Sequence, residues 1–207
     1  MRTLALTTIK SLALSIAFIA IFALSQGAAR ADNVAFSTAG SFNGGANTIS
    51  FGAPGNTLTI TFTGVNSSVN ANPFTFASLG EFQTATTGAG ATITPGTTFT
   101  LNITQTAPSG GSGALAGTLS GTIQQNSSTG LVTFTVTSTT IGNVTYSVSN
   151  NPLPLVPPST NNGVTSVQAQ ITVPEPTTLL LLGTGLSGLA GMARRRMKRA
   201  RATEEQP

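Results

Sequence analysis

A side chain can catalyse a reaction only if it is an acid, a base or a nucleophile that something activates. Between its two ends this chain has few such groups. None of its 207 residues is His, Cys or Trp, and Asp and Glu together number five. Asp32 and Glu81 are the only carboxylates before Glu175, and no Lys or Arg lies between Arg30 and Arg194. Ser and Thr are abundant, yet no neighbouring imidazole or amine could take a proton from them. Glu81 has no second carboxylate to share the work of glycoside hydrolysis, so it reads as a solubilising charge on a strand. Asp32 reads as a mobile residue at a new N-terminus. A calcium site would need Glu81 supplemented by Asn side chains and carbonyls, and no DxDxDG loop supplies them. Thiolate zinc sites and disulfides are excluded by the missing Cys. The expectation is a chain that is not an enzyme, with no metal and no cofactor.

Binding chemistry remains. A sugar ring stacks well on Trp or Tyr, and Tyr146 is the one residue of either type. Rows of Thr on outward strand positions could carry glycans or pair with extracellular polysaccharide; they also suit any solvated strand face, being polar and β-branched. Asn-x-Ser/Thr sequons at Asn66, Asn102, Asn126 and Asn143 are frequent by chance in a chain this rich in Asn and Thr.

The sequence pI of about 10.8 points to nucleic acid until the charges are located. Arg2, Lys10 and Arg30 lie near the start, and Arg194, Arg195, Arg196, Lys198, Arg199 and Arg201 crowd the end. A nucleic-acid groove needs cations spread over a folded face, and the central region has none. Residues 1–31 instead have the layout of a signal peptide: basic Arg2 and Lys10, an apolar run from Leu12 to Leu24, then Ala29-Arg30-Ala31. Those small residues place signal-peptidase cleavage before Asp32, after passage through an export translocon.

At the other end Val173-Pro174-Glu175-Pro176 precedes an uncharged run, Thr177 to Ala193, and then the arginine cluster. A helix of about 17 residues rises roughly 26 Å, enough to cross a hydrocarbon core with little tilt. The positive-inside rule keeps Arg194, Arg195, Arg196, Lys198 and Arg199 cytoplasmic and the body outside. Proline on either side of Glu175 keeps that stretch extended, a form a processing enzyme can grip. Gly183, Ser187 and Gly191 share one helical face at small-xxx-small spacing, which membrane helices commonly tolerate without a partner.

These last residues, in this order and spacing, resemble the tail of the PEP-CTERM family of exported bacterial proteins. The resemblance covers residues 173–207 and implies recognition by an exosortase, a membrane-embedded processing enzyme. Cleavage near the motif and release or attachment outside the cell would follow. Exosortase systems are associated with exopolysaccharide and biofilm, so the resemblance also implies a surface or matrix setting.

The elements that must carry whatever the body does are strands. Apolar residues recur at period two in 58–62, 99–103, 132–136, 144–148 and 167–171, with Thr, Ser, Asn or Gln between them. Leu115 to Ile123 is weaker, because Gly117 and Gly121 take core-side positions, which implies close backbone approach or a bend. Phe74 and Phe76 share a parity with Phe82 that Leu79 breaks beside Gly80, which predicts a bulge or strand break. Gly, Pro and Asn clusters separate the runs, and Pro152 to Pro158 is either a linker or part of the body. The expected fold is all-β: an antiparallel β-sandwich or jelly-roll body over 32–172, with a signal-peptide helix before it and a transmembrane helix after it. With almost no charge on the body, its strand edges, at positions such as Thr61 and Thr135, are expected to self-associate.

The resulting expectation is a non-catalytic exported protein with a structural or adhesive role. Its C-terminus is cytoplasmic while it is an inner-membrane intermediate, and it then reaches the cell surface or extracellular matrix. The alternative is a surface-presented carbohydrate- or ligand-binding module.

Overall fold

The computed structural model describes residues 32–174, together with Gly185 and Gly188, which are helical. The signal-peptide and transmembrane helices expected from the sequence lie outside the described residues. Among those described, no helix is long and apolar enough to cross a membrane. The body is all-β. Its strands are β1 (Asp32–Phe42), β2 (Thr48–Ala53), β3 (Asn56–Thr63), β4 (Asn66–Ala71), β5 (Phe74–Thr86), β6 (Ala91–Thr92) and β7 (Thr98–Ala107). They continue as β8 (Gly111–Ser120), β9 (Thr122–Ile123), β10 (Leu131–Val136), β11 (Ser138–Ile141), β12 (Val144–Val148), β13 (Leu153–Pro154) and β14 (Val164–Thr172). One sheet runs in the order β13-β10-β8-β7-β1-β4 and the other β11-β12-β14-β5-β3-β2, while β6 and β9 form a small ribbon. All pairings are antiparallel.

Alternation explains why these segments become strands and which way they face. Leu58, Ile60 and Phe62 on β3 are buried, as are Phe99, Leu101 and Ile103 on β7, while the residues between them point away from the core. Apolar side chains of both sheets meet in a shared core. Phe99 from one sheet packs against Phe62 and Phe82 from the other, with ring centroids 5.0 and 4.8 Å apart. Phe42 and Phe134 extend this cluster. Edge-to-face and tilted contacts of this kind add about 0.5–1.5 kcal/mol per pair beyond area burial. A second contact across the sheets, Phe36 against Tyr146 at 5.6 Å, is T-shaped.

Irregular positions have local causes. Gly117 is buried on β8, where a Cβ would lie 2.8 Å from the Thr133 carbonyl oxygen on β10, so the expected close approach is real. Gly121 separates β8 from β9. A bulge falls at Leu79-Gly80: Glu81 pairs with Ser166 and Ser78 with Gln168, leaving Leu79 and Gly80 opposite Val167. Gly80 has φ 127°, and a Cβ there would run into the Phe62 ring and the Thr63 carbonyl. Only glycine fits. Pro152 to Pro158 belongs to the body and is not a linker: Leu153 and Leu155 are buried, and the Val156 N–H donates to Thr165 Oγ1 at 3.0 Å. The alternation expected to bury Val136 fails. A register shift between Phe134 and Val136 leaves that side chain 44% exposed.

Candidate processing site and outward faces

β14 ends at Thr172, opposite Phe74. The next residue, Val173, is buried, and its N–H donates to the Pro73 carbonyl at 2.8 Å. Pro174 is exposed. The motif therefore begins one residue beyond a hydrogen-bonded, packed anchor, with no spacer between sheet and motif. Glu175 and Pro176 lie outside the described residues, as do Ala29, Ala31 and the cluster Arg194, Arg195, Arg196, Lys198 and Arg199. Asp32 opens β1 opposite Ala71, two residues before Pro73. Both ends of the body thus emerge at the same end of the fold, within about 20 Å of each other by strand and chain spacings.

A family model described as the PEP-CTERM protein-sorting motif matches residues 172–196. The chain carries a PEP-CTERM sorting motif. It starts on the last residue of β14 and ends at Arg196, so residues 197–207 lie beyond the match. No curated protein and no solved structure matches the chain. A PEP-CTERM motif marks an exported protein that an exosortase processes, with a membrane-associated intermediate before surface display.

The body that this motif delivers holds its one phenol inside. Tyr146 is fully buried, so it offers no ring to a sugar. Its hydroxyl donates to Gln105 Oε1 at 2.8 Å, and Gln105 Nε2 donates to the Ser109 carbonyl at 2.9 Å. Burial raises the phenol's pKa well above its ordinary range. Glu81 sits half-exposed on β5 between Thr63 and Ser166, which are its strand partners. Among the described residues no three His, Cys, Asp or Glu side chains come together.

Several outward hydroxyls bond to one another across strands. Thr48 pairs with Thr61 at 3.1 Å, Ser50 with Thr59 at 3.1 Å, Thr57 with Thr87 at 2.8 Å and Thr140 with Thr145 at 3.0 Å. Each such cross-strand pair contributes roughly 0.2–1 kcal/mol. The Thr rows therefore stitch strands together while facing water, a structural use open to any half-solvated sheet. Asn66, Asn102, Asn126 and Asn143 are all exposed. An open depression of about 380 Å3 is lined by Asn43, Ile49, Ser50, Phe51 and residues 94–97, none of them charged.

Sequence reasoning missed one outward feature. Phe74 and Phe76 are 48% and 61% exposed, side by side on the outer face of β5. Their even numbering would turn them inward with Phe82 but for the bulge, which reverses the parity of everything before it. The broken parity at Leu79 was the signal; it located the bulge without saying which side of it faces the core.

Proposed function

We propose that the chain is a non-catalytic structural or adhesive component of the cell surface or extracellular matrix. The exosortase-processed tail delivers it there, and the body is a β-sandwich. The observation that carries this reading is the direct join between motif and body. A buried Val173 holds Pro174 directly after the last strand of a sheet in which outward hydroxyls bridge β2 to β3 and β11 to β12. Such a body has a well-formed core and outer rows of neutral hydroxyls partly bridged across strands, with Glu81 as its one charged side chain between Asn33 and Thr172. The uncharged run 177–193 spans the inner membrane before processing, and Arg194, Arg195, Arg196, Lys198 and Arg199 keep the C-terminus cytoplasmic. Extracellular polysaccharide is the natural neighbour of a hydroxyl-rich surface of this kind. A glycan array on the mature protein tests the role: a structural component shows no saturable binding. Saturable binding to one glycan class would replace this reading with a surface-presented binding module.

A further inference from the structure

We infer that Phe74 and Phe76 form a membrane-contact patch that rests the body on the outer surface of the bilayer while the tail is inserted. The inference goes beyond the structural role and rests on the tail crossing the membrane. Phe74 stands opposite Thr172 and Phe76 opposite Gln170, at the end of β14 that runs into the sorting motif. From Pro174 to Thr177, where the uncharged run starts, is three residues, at most about 10 Å of chain. The headgroup layer on each side of a hydrocarbon core is itself about 5–8 Å thick. With Val173 packed and bonded to Pro73, no slack remains to lift this end of the body far from the lipid. Whatever it exposes must lie against the interface, and it exposes two phenylalanines.

Composition around the patch agrees with that occupant. Gln168, Gln170 and Thr172 flank the rings on the outer face of β14, so the apolar pair has a neutral polar border on that side. Glu81 lies beyond the bulge, five residues from Phe76 and about 16 Å along the strand. Asp32 is at the same end, where cleavage before it would free an α-amino group to offset its carboxylate. A polysaccharide fits less well. The two rings meet edge to face at 80°, with centroids 6.0 Å apart, and so present no shared flat platform for successive sugars. Lipid headgroups and acyl chains need no such platform, and exposed aromatic side chains partition into the bilayer interface. The bulge then has a purpose: it turns outward two rings that strand parity would have buried, only at the end where membrane is near.

The chain has no native Trp, so one introduced indole reports alone. Full-length protein carrying Phe76→Trp is reconstituted in phosphatidylethanolamine–phosphatidylglycerol vesicles, with and without bromine on the acyl chains. Gln83→Trp, exposed on the same face about 23 Å further along β5, is the distant control. Leu182→Trp reports the tail. Membrane contact predicts that the Trp at 76 is blue-shifted, quenched by brominated lipid and protected from acrylamide, while the Trp at 83 is unquenched by lipid and open to acrylamide. If the Trp at 182 is quenched by lipid and the Trp at 76 is not, the patch inference fails and the inserted tail stands. Protection at 76 without lipid quenching would mean that a second copy covers the rings, and would also overturn it. Absence of lipid quenching at 182 would remove the tail's insertion and the inference with it.

Discussion

Tyr146 is the residue whose chemistry is most sharply set by its surroundings. Its neutral hydroxyl is held by Gln105 inside the core, where a phenolate would be strongly disfavoured. The folded state keeps the proton beyond the pH at which the unfolded phenol, near pKa 10, gives it up. Its contribution is therefore intact below about pH 10 and is lost as pH rises above that toward the raised folded value. Tyr146 is the only Tyr, and no Lys lies between Lys10 and Lys198, so the body should show a single alkaline transition from this group. In Tyr146→Phe, denaturant unfolding should show about 1–3 kcal/mol less stability at neutral pH, because Gln105 Oε1 loses its buried donor. The same variant should lose the alkaline decline. Unchanged alkaline behaviour would show that the phenol is not the titrating group. Phe99 tests packing in the same way: it touches Phe42, Phe62, Phe82 and Phe134, and Phe99→Ala should cost about 3–5 kcal/mol. A loss below about 1 kcal/mol would mean that the rings do not form one rigid cluster. Alternation alone gave Tyr146 its core parity with Val144. Its partner Gln105 is 41 residues away, beyond the reach of any local pattern.

Strands with apolar–polar alternation, such as β3 and residues 99–103 of β7, could be read residue by residue, because a period of two leaves only one face to bury. Strand order could not be read that way, since it depends on pairings between distant segments, and this corrects the choice of edges. Thr61 is interior: β3 pairs with β2 on one side and β5 on the other. Thr135 lies on β10 past its short pairing with β13, next to Phe134, whose N–H and carbonyl are held by the Asn151 amide at 2.8 and 2.9 Å. That side chain fills the place of a strand partner and blunts the edge. The true edges are β2 and β11 in one sheet and β4 and β13 in the other, and proline protects β13. Neither β2 nor β4 has a charge, proline or bulge within its six residues, but β2 carries β-branched Thr48 and Ile49 with Phe51 where β4 carries mostly Asn and Ser, so self-association should run through β2. Ser50→Lys places a cation on its outward face and should shift the mature body toward monomer in light scattering at micromolar concentration. Association that survives Ser50→Lys but disappears in Phe74→Ser/Phe76→Ser would assign it to the aromatic patch instead.

For the whole molecule, the two ends decide where the body goes and the body decides how the motif is presented. Asp32 and Pro174 leave the fold at one end, so cleavage at both sites would free the body at a single end. The sorting motif was legible because its proline pair, apolar run and arginines are consecutive in sequence. Its packing was not, because the Val173 anchor on Pro73 is a contact across 100 residues of chain. Replacing Pro174, Glu175 and Pro176 by alanine should leave insertion intact and block processing, so that a C-terminal tag stays in the membrane fraction. Normal release of that variant would mean that recognition lies elsewhere. The most direct test of the account is the intact mass of the exported protein, with both termini sequenced. The prediction is a chain that begins at Asp32, ends within Val173–Pro176 and lacks every residue of the basic cluster. A mature surface protein that still carried Arg194–Arg196 would contradict it.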